Sequence, residues 1–344
     1  MAQTQPRPAG RRRIGRLIRF VLTIALIGYV LYSAELTTRQ GWASLLETVR
    51  GSHLGFLVMS FLFTPLLYMW STFKWCVLAR SIGMNVRYRS LFYYFVVGRF
   101  YNLVLPSNIG GDLVRVHMLG RASGRYADAA ATVVVERLTG LVTLVALAFG
   151  AIAIAAADFH AAWLIGGLGV ISALLAAMCW AIIDERPFAL AVRLLQGRNR
   201  LLDKLLVKLA KLHASILLYK GMPGVMAVAF LNSVIFYLFA TVNLWLTLRV
   251  FSDIGFLETL VANPILMIIM NLPLSIGNIG IMEFAYTFVM PVFGVGAQAA
   301  LSAALLMRVK MLLAALGGGV AHAFAKEAVP RPEVIEAAAQ EKAV

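Results

Sequence analysis

The chain has 344 residues, 61% of them hydrophobic and only 14% charged, a balance far outside that of soluble domains, and one that implies several spans of about 20 apolar residues each. Its formal net charge of +15 does not argue for nucleic acid, because the basic residues fall between apolar runs and not along one face of a soluble fold. The two cysteines, Cys76 and Cys179, both sit inside apolar runs, which excludes a disulfide framework and a four-cysteine metal site.

In chain order, residues 1–16 form a basic N-terminus, and Arg7, Arg11, Arg12, Arg13, Arg16 and Arg19 precede any acid. The apolar run behind them lacks a small-residue cleavage site before Glu35 and is expected to remain as a first helix. Six stretches are long and apolar enough to span: 17–34, 54–79, 128–156, 162–183, 223–248 and 297–325.

Two further regions, 88–126 and 256–296, are apolar, then broken by Pro and Gly, then apolar again. Reading 107–127 as a full span places Asp112, Arg115, Arg121 and Arg125 in lipid. A re-entrant hairpin avoids that. The breaks are Pro106, Gly110 and Gly111 in the first, and Pro273, Gly277 and Gly280 in the second. Backbone at membrane depth has no water for its N–H and C=O groups, so such a break is tolerated only inside protein or beside a wet cavity.

With both hairpins re-entrant, only Arg39, Arg50 and Arg249 of the 31 Lys/Arg fall on the outer side, which puts both termini in the cytoplasm. NLVLPSNIGGDLVR (102–115) and NLPLSIGNIGIME (271–283) share Asn, Leu-Pro, Ile-Gly, Gly and then a charge. One hairpin enters from each side, so the halves are expected to form an inverted repeat. The expected fold is an all-α polytopic membrane protein with about six spanning helices and two re-entrant broken-helix hairpins. It makes a single transmembrane domain over 17–325, with a polar cytoplasmic tail at 326–344.

Residues 186–220 differ in kind. Arg200, Lys204, Lys208 and Lys211 recur at helical spacing opposite Leu202, Leu205, Leu209, Leu212 and Ile216, the pattern of an interfacial helix on an anionic leaflet or of a basic cytoplasmic linker.

Ionisable side chains at membrane depth are either paired structurally or functional. Arg115, Arg137, Arg308 and Lys310, with Asn102 and Asn271 beside the breaks, are the candidates for holding a phosphate-bearing headgroup. Asp112, Glu136 and Glu283 are the candidates for coupling or ion pairing. Asp112 can cap a helix beginning after Gly111 while Arg115 points into a cavity; Glu136 and Arg137 diverge on a helix and need partners on other helices. Arg308 and Lys310 call for an acid such as Glu136 or Glu283, whereas Lys74 and Arg99 lie nearer span ends, where snorkelling serves. His53, His117, His160, His213 and His322 have no metal-ligand spacing. HExxH, paired CxxC, GxxxxGK[ST] and GxSxG are absent, so neither a metal, a cofactor nor an enzymatic activity is expected.

NLVLPSNIGGDLVR, AAATVVVERLTGL (129–141) and LPLSIGNIGIME (272–283) together resemble the flippase-like transmembrane domain family typified by the membrane part of lysylphosphatidylglycerol synthase. That resemblance implies movement of polar, anionic or aminoacylated lipids across the cytoplasmic membrane, lipid-biosynthesis enzymes as partners, and roles for Asp112, Arg115, Glu136, Arg137 and Glu283. The family pattern has a further glycine and an arginine before the last glutamate, where Asn278 and Met282 stand here. No soluble aminoacyl-transferase segment accompanies the motifs, so the resemblance does not extend to synthase activity. The expected function is lipid translocation; a non-catalytic scaffold or accessory subunit of a lipid-modifying pathway, or a membrane-embedded headgroup enzyme, are the alternatives.

Overall fold

The computed structural model describes residues 38–104, 110–155, 162–196, 200–271 and 278–324, together with Tyr32. The expected basic N-terminus, first span and polar tail lie outside the described residues, as do Pro106, Pro273 and Gly277. The described chain is all-helical: α1 Arg39–Arg50, α2 Leu54–Ser81, α3 Tyr88–Val104, α4 Gly110–Ser123, α5 Tyr126–Ala155, α6 Ala162–Ile183, α7 Glu185–Leu195, α8 Arg200–Leu217, α9 Pro223–Leu248, α10 Phe256–Asn271, α11 Ile281–Val289 and α12 Ala297–Phe324. Short 3-10 turns follow α8 and α11.

Among the described residues four helices are long and apolar enough to cross a membrane: α2, α5 over Tyr126–Gly150, α9 and α12. The expected span 162–183 is helical as α6. Both broken regions are pairs of short helices, α3–α4 and α10–α11, with 17, 14, 16 and 9 residues, all under the ~20 needed for a span.

Local chemistry sets the ends. Gly83 and Gly124, both at positive φ, follow α2 and α4, the left-handed position at which a helix ends without Cβ strain. Asp184 precedes α7 and its carboxylate accepts from the Arg186 N–H, a side-chain N-cap.

Two compact units partition the chain. One draws on segments within Met1–Thr64, Asn102–Asn108 and Ala240–Leu312, the other on segments within Pro65–Tyr101, Ile109–Phe239 and Leu313–Val344. The first unit has its core at Leu244, Leu248, Leu266, Met282, Tyr286 and Met290. In the second, α4, α6 and α8 pack on α5, and Trp75, Leu78, Leu91, Leu119 and Leu144 are fully buried.

Polarity is arranged for lipid. Leu54, Leu62, Leu174, Leu231, Leu313 and Val320 stand exposed, while Thr72, Lys74, Arg115, Glu136, Asn243, Thr247 and Lys310 are buried. Buried hydroxyls satisfy themselves one turn back, Thr72 donating to the Tyr68 carbonyl at 2.8 Å and Thr143 to that of Thr139 at 2.8 Å, which keeps them on helices without a partner from water.

Candidate functional site

In the second unit four charged side chains form a ladder. Arg115 on α4 donates to Asp112, one turn earlier, at 3.2 Å and to Glu136 on α5. The other face of Asp112 is taken by Arg137, whose Nε and one terminal nitrogen each donate at 3.0 Å, the bidentate fork that an arginine makes with a carboxylate. The order along the ladder is Glu136, Arg115, Asp112, Arg137, so every acid touches a base.

Arg115 is only 4% exposed. Its guanidinium lies 4.2 Å from the Trp75 ring centroid and 4.9 Å from that of Phe95, so two aromatic faces replace water around the charge. Trp75 is fixed in turn by its indole N–H, which donates to the Thr132 hydroxyl at 2.9 Å. Gly98 on α3 makes room for this: a Cβ there would stand 2.9 Å from Arg115 Cγ and 2.9 Å from the Gly111 carbonyl oxygen.

Two sequence expectations are corrected here. Arg115 does not point into an open cavity, because both its arms are held by acids and its stem is enclosed. Lys74 does not snorkel: it is buried, and its ammonium donates to the Glu136 carbonyl at 2.8 Å, because α2 continues to Ser81 and leaves Lys74 short of the helix end. Arg99 lies over the rings of Tyr68 and Phe95. Arg137 differs from Arg115, since its side chain remains 52% exposed while anchored to a carboxylate.

In the first unit, Glu283 in the first turn of α11 reaches back to accept from the Gly280 N–H at 3.0 Å and takes both Nε and a terminal nitrogen of Arg308 on α12, at 2.5 and 2.8 Å. Arg308 also donates to the Asn278 carbonyl at 3.0 Å. Asn278 has φ of 57°, the only positive value among the described non-glycine residues. Asparagine tolerates that left-handed conformation better than most side chains.

Among the described residues Lys310 meets no acid. Its Nζ donates to Asn243 Oδ1 and Thr247 Oγ1, both at 2.6 Å, and it is 2% exposed. Asn243 and Thr247 lie one turn apart on α9 inside the apolar run LFATVNLWLTL. Two polar residues on one face of such a run were the signal that could have placed them. Of the asparagines, Asn271 donates to the Met267 carbonyl at 2.8 Å, a helix-end bond to its own backbone. Asn102, the last polar residue of α3, is half-buried.

The two units repeat one register. Asp112 and Glu283 are each the third residue of the second helix of a broken pair, and each binds an arginine 25 residues later. Those arginines, Arg137 and Arg308, are each the twelfth residue of the following long helix. At the sixth residue of the short helix and the eleventh of the long one, the first broken region has Arg115 and Glu136 where the second has Tyr286 and Met307.

Among the described residues no group of three His, Cys, Asp or Glu is placed to hold a metal. On α8, Leu206 faces inward while Leu205 and Leu209 stay exposed beside Lys208 and Lys211, so the packed face is not the full leucine stripe of the sequence pattern.

Fold and site define a multi-pass helical membrane protein in which Asp112, Glu136 and Glu283 are each paired with an arginine of their own unit. A family profile, the lysylphosphatidylglycerol synthase TM region, matches residues 16–318, and the chain belongs to that family. No curated protein matches the chain in sequence.

Proposed function

We propose that the protein translocates a lipid with a phosphate-bearing headgroup, anionic or aminoacylated, across the cytoplasmic membrane, without covalent chemistry on it. The observation that carries this is Arg137. A guanidinium at the twelfth residue of a long apolar helix, with half its side chain exposed, has no cheap place against hydrocarbon and calls for water or an anion beside it. Asp112 grips its Nε and one terminal nitrogen, which fixes the plane of the fork for a phosphate or carboxylate on its free edge. Arg115 is the positioning residue, since it ties Asp112 to Glu136.

The repeated acid-to-arginine register supports two re-entrant hairpins of common design, and the distribution of basic residues supports their opposite entry, with both termini in the cytoplasm. Half-helices of that kind meet polar cargo in many secondary transporters. Membership in a family named for a lipid synthase's membrane region supports a lipid as the cargo.

The test is a reconstituted-vesicle assay following fluorescent phosphatidylglycerol and lysyl-phosphatidylglycerol between leaflets, with wild type and Arg137→Gln. Movement with wild type that the variant loses supports the reading. Absence of movement with either lipid, from protein that remains monodisperse, sinks it.

The second reading, a scaffold for lipid-modifying enzymes, rests on the exposed leucines and lysines of α8. Reversing Lys208 and Lys211 to Glu separates the two: a scaffold loses its partners and its membrane patch, while a translocase keeps moving lipid.

A further inference from the structure

A buried lysine with no countercharge among the described residues demands an explanation that packing does not give. Lys310 is the fourteenth of the 28 residues of α12, as far from both ends as the helix allows, so its ammonium cannot snorkel to an interface. Its only partners among the described residues are Asn243 Oδ1 and Thr247 Oγ1.

The direction of each hydrogen bond is pinned from outside. Thr247 gives its hydroxyl proton to the Asn243 carbonyl at 2.6 Å, leaving its oxygen only to accept from Lys310. The Asn243 amide donates to Thr64 Oγ1 at 3.1 Å, and Thr64 donates onward to the Ser60 carbonyl at 2.9 Å. Asn243 therefore presents its carbonyl oxygen to Lys310. The result is a cage of two neutral acceptors for one nitrogen.

Such a cage fits two protonation states. A neutral amine has two N–H donors, one for each acceptor, and its lone pair needs nothing further. An ammonium adds a third donor that no described side chain receives. A site meant to hold a permanent cation at this depth would supply a carboxylate, as Arg308 has in Glu283.

The described elements around it bring no ionisable group to alter this. The Leu54–Thr64 part of α2 has none, and α10 has only Glu258, in its first turn. On α9, Asn243 and Thr247 are the groups that reach Lys310. On α11, Glu283 is engaged by Arg308 and the Gly280 N–H, and the buried Tyr286 lies one turn further along. Arg308 itself is two residues from Lys310, about 200° around the helix.

We propose that Lys310 exchanges a proton with water during the translocation cycle: its ammonium releases the proton to one side of the membrane and its neutral amine recovers one from the other, with Asn243 and Thr247 holding the nitrogen in both states. This rests on the translocase reading above and names its energy source. No bond other than N–H forms or breaks, and the proton is drawn from and returned to bulk water.

The experiment has two readouts on the full chain. The first is lipid translocation in vesicles of phosphatidylglycerol and phosphatidylethanolamine, at symmetric pH and with an imposed gradient of about two pH units, for wild type, Lys310→Met and Lys310→Arg. We expect the wild-type rate to change about ten-fold between the two conditions, since each unit shifts the protonated-to-neutral ratio ten-fold on its side. Both variants should lose that response, Met being fixed neutral and Arg fixed charged. A wild-type rate indifferent to the gradient, or a folded Met variant that keeps the response, overturns the proposal.

The second readout needs no transport: 13Cε-lysine resonances of detergent-solubilised wild type and of Lys74→Met, which removes the other buried lysine, followed from about pH 5 to 9, a range in which ordinary lysines stay protonated. One resonance that titrates there in both proteins supports proton exchange at Lys310 even if no lipid moves, in which case the translocase reading alone fails; a titrating resonance that Lys74→Met removes, with no other, overturns the proposal. Lysine resonances that all remain flat over that range overturn the proposal.

Discussion

Glu283 and Arg308 pair across 25 residues, the interval that also separates Asp112 from Arg137. In both places the acid sits in the first turn of a short helix and the base on the long helix that follows. An acid there is favoured by the helix dipole before any arginine arrives. The pair then ties the start of the short helix to the continuous one. Breaking the second pair should therefore loosen α11 from α12. Arg308→Met leaves Glu283 buried with the Gly280 N–H alone, and should cost about 3 kcal/mol. Adding Glu283→Gln removes the orphaned charge and should return part of that loss. Denaturant titration in detergent of the two single variants and the double gives the coupling; a loss in the double equal to the sum of the two single losses would mean that the pair is not energetically joined.

Arg137→Gln should behave differently. Asp112 keeps Arg115 when Arg137 is removed, and the Arg137 side chain is half exposed, so the loss of stability should stay under about 1 kcal/mol. Translocation should fall by at least about ten-fold if one charge-assisted phosphate contact is lost. A variant that unfolds, or one that transports normally, contradicts this division of labour.

The sequence revealed part of this. Charge is so scarce in these apolar runs that Asp112, Arg115, Glu136, Arg137, Glu283, Arg308 and Lys310 stand out individually, and the Pro/Gly breaks locate both short-helix pairs. Pairing was not legible, because helical spacing says which residues share a face and not which helices meet. Lys74 was misread on that account: distance from a span end suggests snorkelling, but burial is decided by α5, a neighbour that the α2 sequence does not specify. Lys310 was assigned an acid by the rule that buried charges pair. A neutral amide and a hydroxyl on α9 took that place, and only the fold brings them within reach.

Asn278 offers a test of backbone conformation. Its φ of 57° turns its carbonyl toward Arg308, which donates to it at 3.0 Å. Asn278→Gly should leave stability nearly unchanged, since glycine adopts that region freely while losing the Asn278 side-chain bond to the Met270 carbonyl. Asn278→Val should cost about 1–2 kcal/mol, because a β-branched residue resists a left-handed φ. Thermal unfolding in detergent measures both; equal midpoints for Gly and Val would show that the conformation is not what the position requires.

Gly98 tests whether the ladder depends on the packing around it. Gly98 faces the Cγ of Arg115 and the Gly111 carbonyl, so a methyl group there meets a side-chain stem and a backbone oxygen at once. The stem cannot swing aside, because its guanidinium is held between Asp112 and Glu136 and lies over Trp75 and Phe95. Nor can the oxygen move without shifting the start of α4. Gly98→Ala should therefore destabilise by about 1–3 kcal/mol, the range for overpacking a close contact. Translocation should fall with it, as the displaced Asp112 no longer aims Arg137. Arg115→Lys separates the causes: a lysine keeps the charge but has no fork to reach Asp112 and Glu136 together. If packing serves the ladder, both variants lose transport while Gly98→Ala alone shifts α4, readable as altered protease or thiol access at an engineered Ser123→Cys. If Gly98→Ala transports normally, the ladder does not need the close approach of α3 to α4.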